Sequence, residues 1–196
     1  IAYQVEKYDL AINLINQAIE IDNRQPVFFK SLGCILQERK KLREAIRAYQ
    51  EAIELDPADS KIHKNLGDAL KQQGELELAI DAYNKAIEFN PHNAETYNNL
   101  GTVLQDKGNL ESAIATYRKA LEIDPDDQHA HLNISMLHLL QGDFKNGWQQ
   151  YQWRWKYEKF PSEYRDFPQL FWSGENLSGK TILVWAEQGI GDEIMF

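Results

Sequence analysis

The chain has 196 residues, 43% hydrophobic and 26% charged, with a formal charge of −9 and one cysteine, Cys34. The negative balance argues against nucleic acid or an anionic membrane as partner, since phosphates would be repelled. A single cysteine excludes an internal disulfide and fits a reducing, cytoplasmic setting, and no apolar run reaches the roughly eighteen residues needed to cross a bilayer.

Spacing organises the chain from its beginning. Pro57, Pro91 and Pro125 lie 34 residues apart, each after Asp56, Asn90 or Asp124, and Asp22 continues that series backwards. Four further series keep step: Gly33, Gly67 and Gly101, then Ser135; Gly74, Gly108 and Gly142; Ala45, Ala79 and Ala113, then Gly147; Tyr49, Tyr83, Tyr117 and Tyr151. A fixed period of this length is the mark of stacked repeats. It divides residues 1–159 into a half repeat, 1–25, and repeats 26–59, 60–93, 94–127 and 128–159. The helical pattern is already under way at Ile1, and the expectation is a chain cut at both ends.

Within repeat 60–93, Leu66, Gly67 and Leu70 are expected on one helical face, and Leu78, Ala79, Tyr83, Ala86 and Ile87 on that of the next helix. Gly67 and Ala79 would let the two helices approach closely. Gly74 would end the first helix in a left-handed conformation. The dipeptides Asp-Pro and Asn-Pro would end the second, because the residue before proline avoids the α region.

A 34-residue unit with small residues at these offsets resembles the tetratricopeptide repeat (TPR). The resemblance implies an all-α, right-handed solenoid of antiparallel helix pairs that acts as a protein-interaction scaffold. The first helix of each pair would line a concave groove that takes an extended protein or peptide segment. Asn65, Asn99 and Asn133 recur there, in the runs NLG, NLG and NIS. They resemble the asparagine ladder of the O-GlcNAc transferase superhelix, which grips peptide backbone; an amide donates and accepts together. The alternative is that each asparagine bonds only within its repeat. Ser31 interrupts the series. Lys61, Lys64 and Lys71 share that face and read as a clamp for an acidic peptide or as a solvated charged face. In the last repeat the same face carries Leu132, Met136, Leu139 and Leu140, a row expected to be covered by residues after 160.

His63, His131 and His138 lack a carboxylate or cysteine at ligand spacing, so packing explains them better than a metal. Cys34 reads as a small buried or groove residue.

All five tryptophans fall after residue 147. Arg154 stands where earlier repeats carry alanine. Trp153, Trp155 and Tyr157 are expected to seal the end of the solenoid; stacking on carbohydrate is the alternative. Residues 160–180 read as an extended connector. In it Gly174, Gly179, Lys180 and Thr181 match a phosphate-binding loop, but no strand precedes and no helix follows, so nucleotide binding is not expected. Residues 181–186 read as a buried strand, Gly189 and Gly191 as a tight turn, and Asp192 as the cap of a new helix. Ile194 stands where a dinucleotide fingerprint needs its third glycine.

The runs GDFKNGWQQYQWRW and FPQLFWSGENLSGKTILVWAEQGIGDEIMF resemble the junction, in bacterial TPR proteins, with a glycosyltransferase-like domain related to heptosyltransferases. This implies that residues 181–196 open a truncated Rossmann-like α/β domain, with its first strand and glycine turn. It also implies that Asp192 is the general base toward an acceptor hydroxyl; the alternative is a plain helix cap. A nucleotide-sugar would be the donor of the full-length protein. No cofactor is expected in this chain, which should catalyse nothing alone.

Overall fold

The computed structural model describes residues 2–156 and residue 178, and all regular structure among them is helical. Helix α1 (Ala2–Ile21) precedes four pairs: α2 (Pro26–Glu38) with α3 (Leu42–Leu55), α4 (Ser60–Gln73) with α5 (Leu76–Phe89), α6 (Ala94–Asp106) with α7 (Leu110–Ile123), and α8 (Gln128–Leu140) with α9 (Phe144–Tyr151). A 3₁₀ turn, Gln152–Lys156, follows. The expected strand at 181–186, Gly189, Gly191 and Asp192 lie outside the described residues, as do Tyr157 and, apart from Ser178, the connector. The chain divides into two compact units, Ile1–Pro125 and Asp126–Phe196.

In the first unit each helix packs on the next in sequence, and α2, α4 and α6 also touch in turn. This nearest-neighbour stacking is how repeats that cannot bury an apolar face alone become stable. The second helices carry the narrow core stripe: Ala45, Ala48, Tyr49 and Ala52 on α3, and Ala79, Ala82, Tyr83 and Ala86 on α5, are buried. Leu78 departs from the expected face and is 53% exposed, whereas Ile80 packs against the core. The stripe runs through 79, 82, 83 and 86, and residue 78 falls one step of about 100° outside it.

The close approach expected of Gly67 is made by a tyrosine ring. A Cβ at Gly33, Gly67 or Gly101 would lie 2.5, 2.7 or 2.6 Å from the ring of Tyr49, Tyr83 or Tyr117. All three rings are fully buried. Glycine on the first helix thus makes room for an aromatic on the second.

Three of the four first helices, α4, α6 and α8, begin on side-chain caps at the 34-residue spacing. Asp59 accepts from Lys61 N at 2.8 Å, Asn93 from Thr96 N at 3.2 Å, and Asp127 from Ala130 N at 3.1 Å. Asp59 also holds Lys30 of α2 at 2.8 Å. Burial works against its charge, but these bonds prevail and keep its pKa below the ordinary value.

Gly74, Gly108 and Gly142 are left-handed, with φ of 88°, 80° and 79°. The first full repeat places Lys40 there, at φ 61°. The closing bonds match: Lys41 N donates to Leu36 O at 2.9 Å, as Glu75 N does to Leu70 O at 3.0 Å. A side chain in this conformation costs about 1–2 kcal/mol. Lys40→Gly should therefore stabilise the first unit by about 1 kcal/mol, read as a raised urea midpoint; a midpoint that falls would show that the lysine is unstrained.

The fourth pair breaks the pattern. Ser135 replaces glycine and donates from Oγ to Gly147 O at 2.9 Å. The contact is reversed: a Cβ at Gly147 would lie 2.6 Å from Leu139, which therefore faces α9 and not the groove. Helix α9 stops at Tyr151 after eight residues and tightens into the 3₁₀ turn. Arg154 is the reason. It occupies the position of Ala52, Ala86 and Ala120, which are at most 1% exposed, and its guanidinium cannot enter an alanine-sized slot. It is buried against the rings of Tyr151 and Trp155, 4.4 and 4.2 Å from their centroids.

Candidate functional site

The first helices of the first unit carry a row of hydrogen bonds that crosses from repeat to repeat. Asn65 Nδ2 donates to Cys34 Sγ at 3.5 Å, and Asn99 Nδ2 to Asp68 Oδ1 at 2.8 Å. Each bond spans 31 residues and reaches the preceding repeat. The expected alternative, a bond within the repeat, is replaced by one between repeats.

Cys34, Asp68 and Thr102 occupy one repeat position and also receive the core tyrosine of their own repeat. Tyr49 Oη lies 3.4 Å from Cys34 Sγ, Tyr83 Oη 2.6 Å from Asp68 Oδ1, and Tyr117 Oη 3.3 Å from Thr102 Oγ1. Gln37 and Gln105 Oε1 lie 2.9 and 3.2 Å from the Tyr49 and Tyr117 hydroxyls and share their single proton with Cys34 and Thr102. Burial first, then the charge and hydrogen bond of Asp68, push the Tyr83 hydroxyl well above the ordinary tyrosine range, so it remains a donor. This position was not legible in the sequence, because its identity changes at each repeat; what persists is an acceptor.

The lysines fall into different environments. Lys64 is ion-paired with Asp68 at 3.7 Å and with Glu95 of the next repeat at 2.5 Å. Burial opposes its charge, but Glu95 and Asp68 outweigh this and raise its pKa. Lys61 is exposed and Lys71 half-buried. Lys64 is thus neutralised within the fold, and Lys61 faces water.

Asn133 is half-buried on α8, in the second unit. On the same helix Met136 and Leu140 are 56% and 72% exposed. Residues after 160, expected to cover this row, lie outside the described residues. His131 stacks on Trp153 with centroids 3.8 Å apart, and its Nδ1 donates to Gln150 Oε1 at 2.6 Å. His138 Nδ1 lies 3.4 Å from Asp143, and His63 Nε2 lies 2.8 Å from Pro57 O. The histidines therefore serve packing, and among the described residues no group of three metal-ligating side chains assembles. Cys34 is exposed, which rules out the buried reading and leaves the first-helix face. No helix among the described residues is long and apolar enough to cross a membrane.

Family models for the TPR repeat match residues 33–74 and 67–108, and one for the tetratricopeptide repeat matches residues 94–127. Protein FlbA of Caulobacter vibrioides is 36% identical over 58 residues, 30% of this chain and 10% of FlbA. The matched segment is thus about a tenth of that relative. Among solved structures, one of MamA is similar at a TM-score of 0.72 and 24% identity, over 77% of this chain and 88% of that one. A second MamA structure has a TM-score of 0.68 at 26% identity, over 80% and 89%. YrrB, described as a TPR protein with an unusual peptide-binding site, has a TM-score of 0.65 at 18% identity, over 77% and 78%.

Proposed function

We propose that this chain, whose residues 33–127 match tetratricopeptide-repeat models, is a protein-interaction scaffold whose first helices bind an extended segment of a partner protein. The observation that carries the reading is the row of amides on those helices. Asn65 and Asn99 each bond to the preceding repeat, at a spacing that repeats with the fold. An amide can meet a peptide bond without reading its side chain. Asn133 holds the corresponding repeat position in the second unit, and Lys61 carries an exposed positive charge on α4. The peptide-binding site named for YrrB lends support at the level of fold.

The test uses a peptide selected against the wild-type chain from a random display library. Changing Asn65, Asn99 and Asn133 together to alanine should weaken that peptide about tenfold or more, measured by fluorescence anisotropy. Unchanged affinity would remove the amide row from the site.

A second reading comes from the tail's resemblance to a glycosyltransferase-like domain: the scaffold would select the protein acceptor of a nucleotide-sugar transferase, with Asp192 as base. Full-length protein carrying Asp192→Ala should then transfer sugar from a nucleotide-sugar at least about a hundredfold more slowly than wild type. Equal rates would discard this role of Asp192.

A further inference from the structure

The amide row has a polarity that one residue imposes. Asp68 is an acceptor-only carboxylate, so the Asn99 side chain can meet it only with its NH2 group. The observed contact is this one, Nδ2 to Asp68 Oδ1 at 2.8 Å. Asp68 is itself held by Tyr83 Oη at 2.6 Å and by the Lys64 ammonium at 3.7 Å. The Tyr83 ring is fully buried, so the carboxylate has little freedom to move away. Asn99 is half-buried, and its Oδ1 is the end of the amide turned away from Asp68, left as an acceptor.

Resting on the peptide-binding reading above, we infer that Asp68 is a positioning residue that makes Asn99 selective for hydrogen-bond donors, so that this step of the face takes a backbone N–H from a neutral or basic segment. Two further observations agree. Lys64 is already paired with Asp68 and Glu95, so its ammonium offers little to an acidic segment at this step. The preceding step is different: Asn65 meets Cys34 Sγ at 3.5 Å, a weak donor and weak acceptor that does not dictate which end of the amide turns outward. Selectivity is therefore a property of the Asn99 step, and Asp68 sets it.

The test uses the displayed peptide with each backbone amide replaced in turn by an ester, which removes one N–H and keeps the chain length. One such ester should bind wild type about fivefold to tenfold more weakly, the loss of a single hydrogen bond. The same ester should cost nothing further in Asn99→Ala. In Asp68→Asn, where the facing group can donate as well as accept and Tyr83 keeps a partner, the penalty of that ester should shrink. Circular dichroism confirms that each variant is folded. If Asn99→Ala weakens the peptide but no ester is coupled to it, the donor selectivity is wrong and the amide row stands. If Asp68→Asn keeps the full ester penalty, Asp68 does not set the polarity. If Asn99→Ala has no effect, both the row and this inference fail.

Discussion

Tyr83→Ala should destabilise the first unit by about 3–5 kcal/mol, the cost of emptying a buried aromatic site. The walls nearest the ring close the space poorly, because Gly67 has no side chain and the flanking residues of α5 are Ala79, Ala82 and Ala86. The hydroxyl bond to Asp68 is lost as well. Against a typical total of about 5–15 kcal/mol, this is a large fraction. Because repeats are held by their neighbours, the loss should spread to α3 and α6. Urea unfolding followed by circular dichroism measures it, with Tyr83→Phe as control at about 1 kcal/mol. A loss under about 1 kcal/mol for the alanine variant would mean that the ring does not hold the pair together.

Gly67→Val should cost about 3 kcal/mol, at the upper end for overpacking. Its Cβ would sit 2.7 Å from the Tyr83 ring, with two methyl groups still to place. Valine's better helix propensity returns only a few tenths of a kcal/mol. The ring cannot retreat, since it is enclosed on all sides. If the clash is the cause, Gly67→Val should cost much less in a Tyr83→Leu background, where the ring is gone; a double-mutant cycle reads that coupling. Additive effects would refute the glycine–tyrosine contact as the origin.

The pairing of helices was legible because one period governs many positions. Gly33, Gly67 and Gly101 advance in step with Tyr49, Tyr83 and Tyr117, and a mutual steric requirement keeps both. The asparagines were legible as a series for the same reason, but their bonding partners were not. Cys34, Asp68 and Thr102 differ in size, charge and chemistry, and share only the ability to accept a hydrogen bond from a neighbour. Leu78 and Leu139 misled because apolar character marks a helix face only to within one position. Leu78 lies beside the stripe that packs, whereas Leu139 lies on the side that packs against α9.

The sequence alone determined the helix pairs, their left-handed ends and the residues of the core, because these follow from local backbone preference and from a repeated packing rule. Only the tertiary structure decided that Lys64 is neutralised, that Cys34 is exposed, that Arg154 shortens the last helix, and which way the Asn99 amide faces. Those outcomes depend on which side chain of a neighbouring element comes within hydrogen-bonding or van der Waals distance, and spacing along one chain does not specify distances between helices.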